Sequence, residues 1–383
     1  MSRSARFLSF LASLSLVITL LGTADAQAAS AHPGPAIPVC PGPVAEGYAR
    51  CHSHVFPDAS STPTGLSPAT IKAVYSFSTS SSAGAGTTIA IVDAYNDPNI
   101  ESDLGVFSST YSLPPCTTAN GCFKKVNQNG SSSSFPRTNA GWALEIALDV
   151  EWAHAIAPGA KILLVEATSN SFANLLAAED YAKTHAQYVS NSWGGSEFSG
   201  ETSYDAHFVQ AGVSFFVSSG DAGTPAEYPS ASPNVISVGG TTLNFSGGSF
   251  TSESGWSGSG GGCSAYEFAT LAQAGFGTFG QVNCGSSRGT PDVSLDADPN
   301  SGVSVYDSVR YQGQSGWFTV GGTSASSPMW AARSAVAGAL VNASYVYGNN
   351  ITYRDITSGN NGLFCLVGYD LVTGLGSWTG TTP

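Results

Sequence analysis

The chain has 383 residues, of which 42% are hydrophobic and only 10% charged; 26 acidic residues against 13 basic ones leave a net charge of −13. So apolar a composition excludes a disordered chain, and the lack of a basic patch excludes nucleic acid as a partner. Past the N-terminus no stretch is apolar for long enough to cross a bilayer, which excludes a membrane span.

In chain order, the first feature is a secretory signal peptide over residues 1–26. Arg3 and Arg6 precede an apolar run over 7–21, and small residues with Ala-x-Ala spacing follow at 24–26 and 26–28. The mature protein is therefore predicted to be secreted, where its seven cysteines would form disulfides. Proximity favours Cys40–Cys51, Cys116–Cys122 and Cys263–Cys284, leaving Cys365 over. Residues 27–64, rich in Pro, Ala, Ser and His, read as a short arm with a loop closed by Cys40 and Cys51. That arm is too short for a domain of its own.

Ordered structure is predicted to begin at a helix capped by Ser67, with Pro68 in its first turn. Short apolar strands are predicted over 88–93, 161–166, 188–193, 213–218 and 235–238. Helices are predicted between them over 103–111, 141–157, 171–183 and 205–211. Strand and helix alternating with short connections predict an α/β fold with a mostly parallel, doubly wound sheet and helices on both faces. Residues 247–284 turn Gly- and Ser-rich and read as irregular or antiparallel surface structure. Strands at 303–306 and 317–320 precede a Gly-Gly-Thr-Ser-Ala-Ser-Ser-Pro stretch over 321–328, and a helix is predicted over 329–341.

Ser324 in that stretch stands near a helix start, where backbone N–H groups are unpaired and the dipole is positive. A nucleophilic serine suits such a place, and so does a simple helix cap. The 141–157 helix carries Glu145 and Asp149 one turn apart among apolar neighbours, so the two share a face. Burial and like charge would raise at least one pKa and let the pair share a proton. Asp221, at another strand end, reads either as a turn residue or as a donor to an oxyanion. The six histidines, His32, His52, His54, His154, His185 and His207, stand in no Gly-rich histidine motif, and each reads as structural. The serine thus has acids to serve it and no evident histidine base.

These residues resemble the sedolisin (serine-carboxyl peptidase) family, whose fold is subtilisin-like. Gly-Gly-Thr-Ser-x-x-x-Pro at 321–328 is similar to that family's nucleophile motif and implies Ser324 as nucleophile. The Glu145-x-x-x-Asp149 spacing implies Glu145 as general base and Asp149 as the residue that orients it. Ser-Ser-Gly-Asp at 218–221 implies Asp221 as oxyanion stabiliser, and Ser192, Trp193 and Gly194 resemble the cleft-lining segment. Asp93 falls where the family often has a supporting acid. The C-terminal loop implies one structural Ca²⁺, held by the carboxylates of Asp355 and Asp370 and the carbonyls of Ile356, Leu366 and Gly368.

The resemblance thus makes residues 65–383 one catalytic domain of a secreted, acid-active endopeptidase, a monomer acting on polypeptides. Family members usually carry a long prodomain, so the expectation here is either maturation without one or a reduced version of its role for the arm over 27–64. The alternatives are a catalytically inactive binding protein on a peptidase scaffold, an ordinary subtilisin-like protease, for which a His-Gly-Thr helix start is missing, and a glycosidase, for which the two acids are too parallel.

Overall fold

The computed structural model describes Met1, His32 and residues 34–380; the predicted signal peptide, apart from Met1, lies outside the described residues. Its centre is a ten-stranded sheet. The strand order is Tyr353–Arg354, Ser377–Trp378, Val293–Asp296, Ile236–Ser246, Ser214–Ser218, Tyr188–Asn191, Thr88–Ala94, Lys161–Ala167 and Phe123–Asn127, with Ser249–Gly255 paired to Ile236–Ser246. Every pairing from Ser377–Trp378 across to Phe123–Asn127 is parallel. Antiparallel pairs are confined to the Tyr353–Arg354 edge and to the Ser249–Gly255 hairpin. The inner strands are apolar along their length because both faces are covered by helices.

The helix Ala140–Ile156, here the acid helix, is capped by Asn139, whose side chain accepts the Trp142 N–H at 3.1 Å. From Trp142 to Ile156 every residue is buried. A helix apolar all round belongs inside, and each Leu or Ile buried there contributes about 1.5–3 kcal/mol. It packs on the helix Thr323–Ala337, here the serine helix, and both lie on the sheet.

The serine helix begins six residues earlier than the pattern from residue 329 suggested, and this places Pro328 inside it. A proline has no N–H to give the carbonyl four residues back. The orphaned carbonyl is that of Ser324, and the Ser192 hydroxyl approaches it at 3.4 Å. The turn predicted as helix over 205–211 is a 3-10 stretch, Glu201–Phe208, and the strand predicted over 235–238 extends to Ser246.

The described part of the arm is woven into the body. His54–Ser60 pairs antiparallel with Gln314–Gly321, the strand that feeds the serine helix, and Ile37–Pro38 folds back onto His54–Ser60. Disulfides join Cys40–Cys51, Cys116–Cys122 and Cys263–Cys284, and Cys365 is buried and free. Among the described residues no helix is long and apolar enough to cross a membrane.

Behind the sheet end near the serine helix, the buried Asp292 carboxylate accepts from both guanidinium nitrogens of Arg288 at 2.6 and 2.5 Å. It also accepts from the Tyr347 hydroxyl at 2.6 Å and the Ser237 N–H at 2.8 Å. Removing one member of such a pair leaves a buried charge with no counter-charge. Asp292→Ala is expected to lower unfolding free energy by about 3–5 kcal/mol, read from a denaturant melt; a loss under about 1 kcal/mol would show the network to be dispensable.

Candidate active site

Glu145 on the acid helix and Ser324 in the first turn of the serine helix meet at one spot, both fully buried. Gly322 makes the approach possible. Its φ of 104° suits glycine, and a Cβ there would collide with the His52 carbonyl oxygen, Asp221 Oδ2 and the Ser53 Cα. The Ser324 N–H donates to the His52 carbonyl at 2.9 Å, and the Ser324 hydroxyl is directed at the Ser192 carbonyl at 3.3 Å.

Glu145 Oε2 accepts a short hydrogen bond from the Ser53 hydroxyl, and its Oε1 is buried without a partner of good geometry. Burial first, and then the charge of Asp93, push Glu145 well above the usual carboxylate range; the nearby Ser324 and Ser53 hydroxyls pull the other way. Asp149, one turn on, is raised by the same causes, with the Glu145 charge added. Asp93, at the carboxyl end of Thr88–Ala94, is pushed up to about 8 by burial. Neither Asp93 nor Asp149 has a hydrogen-bond partner of good geometry. Three acids in one dry pocket cannot all be ionised, so the group holds protons in common.

Asp221 divides its two oxygens. Oδ1 accepts the Thr323 N–H and hydroxyl, both at 2.8 Å, which caps the serine helix; Oδ2 faces the cleft and His54 Nδ1 at 3.0 Å. Burial alone would lower the His54 pKa, but the hydrogen bond and charge of Asp221 outweigh it and hold it above its ordinary value. Oδ1 is thus taken up by the helix start, and Oδ2 is free of it. Trp193 offers the cleft only its backbone, since its indole is buried and donates to the Val92 carbonyl at 2.9 Å. Ser192 and Gly194 do border Ser324 and the arm.

Sequence reasoning missed the arm's part in this site. His52 and His54, read as structural, touch Ser218 and Glu227, and Asp221, respectively, and Ser53 between them, given no role from the sequence, touches Glu145. The partners lie 92 to 175 residues away, and only the Cys-His-Ser-His run after a disulfide cysteine hinted at them.

Two places could hold a cation. On the C-terminal loop, Asp355 accepts the Gly368 N–H at 3.0 Å, and Asp370 accepts N–H groups of Leu366, Val372 and Thr373 at 2.7–2.9 Å. Among the described residues neither carboxylate has a Lys, Arg or His partner, and burial pushes Asp370 up to about 6. Two uncompensated carboxylates on one tight loop are the hard oxygen donors that Ca²⁺ takes. Asp97, Asp103 and Asp307 form a second buried group with carboxylate oxygens within 4.8 Å of one another. Cys116, Cys122 and His154 also converge, but there the sulfurs are already joined.

A subtilisin-like sheet with a serine at a helix start, and carboxylates where an imidazole would be sought, defines the class. Residues 84–351 match the subtilase family. Kumamolisin of Bacillus sp. (strain MN-32) is 30% identical over 359 residues, covering 83% of this chain and 63% of that protein. Sedolisin of Pseudomonas sp. (strain 101) is 28% identical over 370 residues, covering 83% and 60%. Among solved structures, Pseudomonas sedolisin, a serine-carboxyl proteinase complexed with two molecules of pseudo-iodotyrostatin, superposes with a TM-score of 0.69 at 26% identity, over 83% of this chain and 96% of that one. The chain belongs to the sedolisin family of the subtilases. It spans under two-thirds of the length of these curated relatives.

The buried acids set a pH dependence of stability. Burial pushes Asp93 and Glu179 up to about 8, from ordinary values of 3.8 and 4.5. Above about pH 4 the folded chain therefore binds more protons than the unfolded one, and stability falls as pH rises. Thermal melts are expected to give the highest Tm near pH 4 and a steady decline through pH 8. A Tm that climbs toward neutrality would contradict the assigned protonation.

Proposed function

We propose that this chain is a secreted serine-carboxyl endopeptidase most active at acidic pH. The observation that carries the reading is the meeting of Ser324 with Glu145, a general base of the carboxylate kind backed by Asp149 and Asp93. Neither arm histidine serves as base, since their rings are engaged by Ser218 and Glu227 and by Asp221.

Ser324 Oγ attacks the carbonyl carbon of a bound peptide while Glu145 takes its proton. Asp149 holds Glu145 in place, and the shared proton keeps the acid group from accumulating charge. The oxyanion forms where the Ser324 N–H already points, and Asp221, protonated, donates the second hydrogen bond from Oδ2. Glu145 then returns the proton to the departing amine. Ser192 and Gly194 offer backbone to the substrate as an added strand. The three disulfides fit an oxidising compartment.

The test is digestion of an unfolded protein from pH 3 to 8. Ser324→Ala and Glu145→Gln are each expected to lower kcat/KM by about 10⁴-fold or more, and Asp221→Asn by about 10²–10³-fold. Digestion persisting in Ser324→Ala would sink the mechanism, and a chain inactive at every pH would favour the binding-protein alternative.

In the same reading Asp355 and Asp370, with the carbonyls of Ile356, Leu366 and Gly368, hold one Ca²⁺, which would tie the C-terminal loop to the sheet. Chelator is expected to lower Tm by several degrees, and added Ca²⁺ to restore it. An unchanged melt would remove the ion from the account.

A further inference from the structure

The strand Thr88–Ala94 leaves the sheet and delivers Asp97, and the helix Ile100–Thr110 follows with Asp103. Both meet Asp307, on the strand Val303–Tyr311 of the hairpin that feeds the serine helix. One carboxylate oxygen from each lies within 4.8 Å of the others, and all three side chains are buried. Glu151 comes to the same place from the acid helix: its Oε2 accepts the Tyr306 N–H at 3.0 Å, one residue before Asp307. Burial first, and then the charges of Asp103, Asp307 and Asp97, push Glu151 well above the usual carboxylate range, against the pull of the Tyr306 N–H. Four segments thus each send an acid into one dry spot, and none of these acids belongs to the group around Ser324.

Hydrogen bonds hold one oxygen of each acid and leave the other. Asp97 Oδ1 accepts the Asn99 N–H at 2.8 Å, and Asp307 Oδ1 the Val309 N–H at 2.7 Å. Asp103 Oδ2 accepts the Ser308 N–H at 2.9 Å and the Ser308 hydroxyl at 3.0 Å, while its Oδ1 meets only the Ser102 hydroxyl at 3.2 Å. Asp97 Oδ2, Asp307 Oδ2 and Glu151 Oε1 are buried with no hydrogen-bond partner among the described residues. Among those residues no Lys, Arg or His pairs with any of the four acids. Lys125 gives its ammonium to the Asn96 side chain at 2.8 Å, to the Asp97 carbonyl at 2.7 Å and to Glu166 at 3.5 Å.

Buried carboxylate oxygens without a donor are costly, and three of them converging suit a cation better than a hydrogen bond. Outer hydrogen bonds that fix each acid and leave one oxygen bare are what orients the ligands of a metal. All the donors are hard oxygens. Ca²⁺ takes about six to eight of these at about 2.3–2.6 Å, a demand that four carboxylates and water can meet. Pro98 and Arg310 beside the group are exposed, so the spot lies just under the surface.

We propose that Asp97, Asp103, Asp307 and Glu151 form a divalent-cation site, of the class that takes Ca²⁺, separate from the C-terminal loop. The ion displaces whatever protons the acids share and turns their mutual repulsion into attraction. It clamps the exit of Thr88–Ala94, the acid helix and the hairpin that leads into the serine helix. This inference does not rest on peptide cleavage.

The experiment uses the full chain at pH 7, as wild type and as Asp370→Asn, which removes a carboxylate from the C-terminal loop. Ca²⁺ is titrated into the chelated chain by calorimetry, and melts are run in chelator and in Ca²⁺. Asp370→Asn is expected to keep one bound Ca²⁺ per chain, and Ca²⁺ to raise its Tm by several degrees. Adding Asp307→Asn, whose amide oxygen can still accept the Val309 N–H, is expected to abolish both the binding and the rise. In chelator the same change should leave Tm equal or higher, because it removes a buried acid that has no counter-charge. A merely structural aspartate would lower Tm under both conditions, and that result overturns the proposal. So does an Asp370→Asn chain that takes up no Ca²⁺, or a Tm rise that survives Asp307→Asn. Should Asp370→Asn not fold, wild-type crystals soaked in Tb³⁺ decide: an anomalous peak among the four carboxylates is expected, and a map without one overturns the site.

Discussion

Glu145, Asp149 and Asp93 are carboxyl groups shut away from water on elements that are otherwise mostly apolar, and the rest of the site answers to that fact. A helix buried on every side leaves its acids only two forms of relief, a shared proton or a hydroxyl hydrogen bond. Both are in use. The group keeps protons among its members, and the hydroxyls of Ser53, Ser192 and Ser324 cluster around it. The same burial that is unfavourable for stability at neutral pH keeps protons on the acid group.

The second constraint is the start of the serine helix. Its first N–H groups need acceptors, and Thr323 finds Asp221 while Ser324 finds the His52 carbonyl. Pro328 then removes a donor from inside the helix and draws Ser192 toward the Ser324 carbonyl. Capping and strand pairing are thus one arrangement. A carbonyl is wanted at that N–H in the resting chain, and the arm supplies it.

The arm occupies both sides of the cleft because it is braced on both sides. Cys40–Cys51 and the Ile37–Pro38 pairing hold its approach, and the Val39 N–H donates to the Ser53 carbonyl at 2.9 Å. Beyond Ser53, the long pairing with Gln314–Gly321 anchors the exit.

Much of this was legible in the sequence, because it depends on local periodicity and spacing. The apolar strands, the Ser67 cap, the one-turn spacing of Glu145 and Asp149, and the Gly-rich approach to Ser324 are short-range features. The near disulfide pairings were likewise legible. Long-range partners were not. Nothing in 141–157 says that Asp93 will stand beside it, nor does anything in 218–228 announce a histidine from residue 52. The helix start at Thr323 was misplaced because Pro328 reads locally as a stop, and packing against the acid helix overrides it. What the sequence alone determined was which residues could do carboxylate-assisted chemistry. Only the tertiary structure decided what lies in front of them, since a strand's partner is chosen by the edge left open to it.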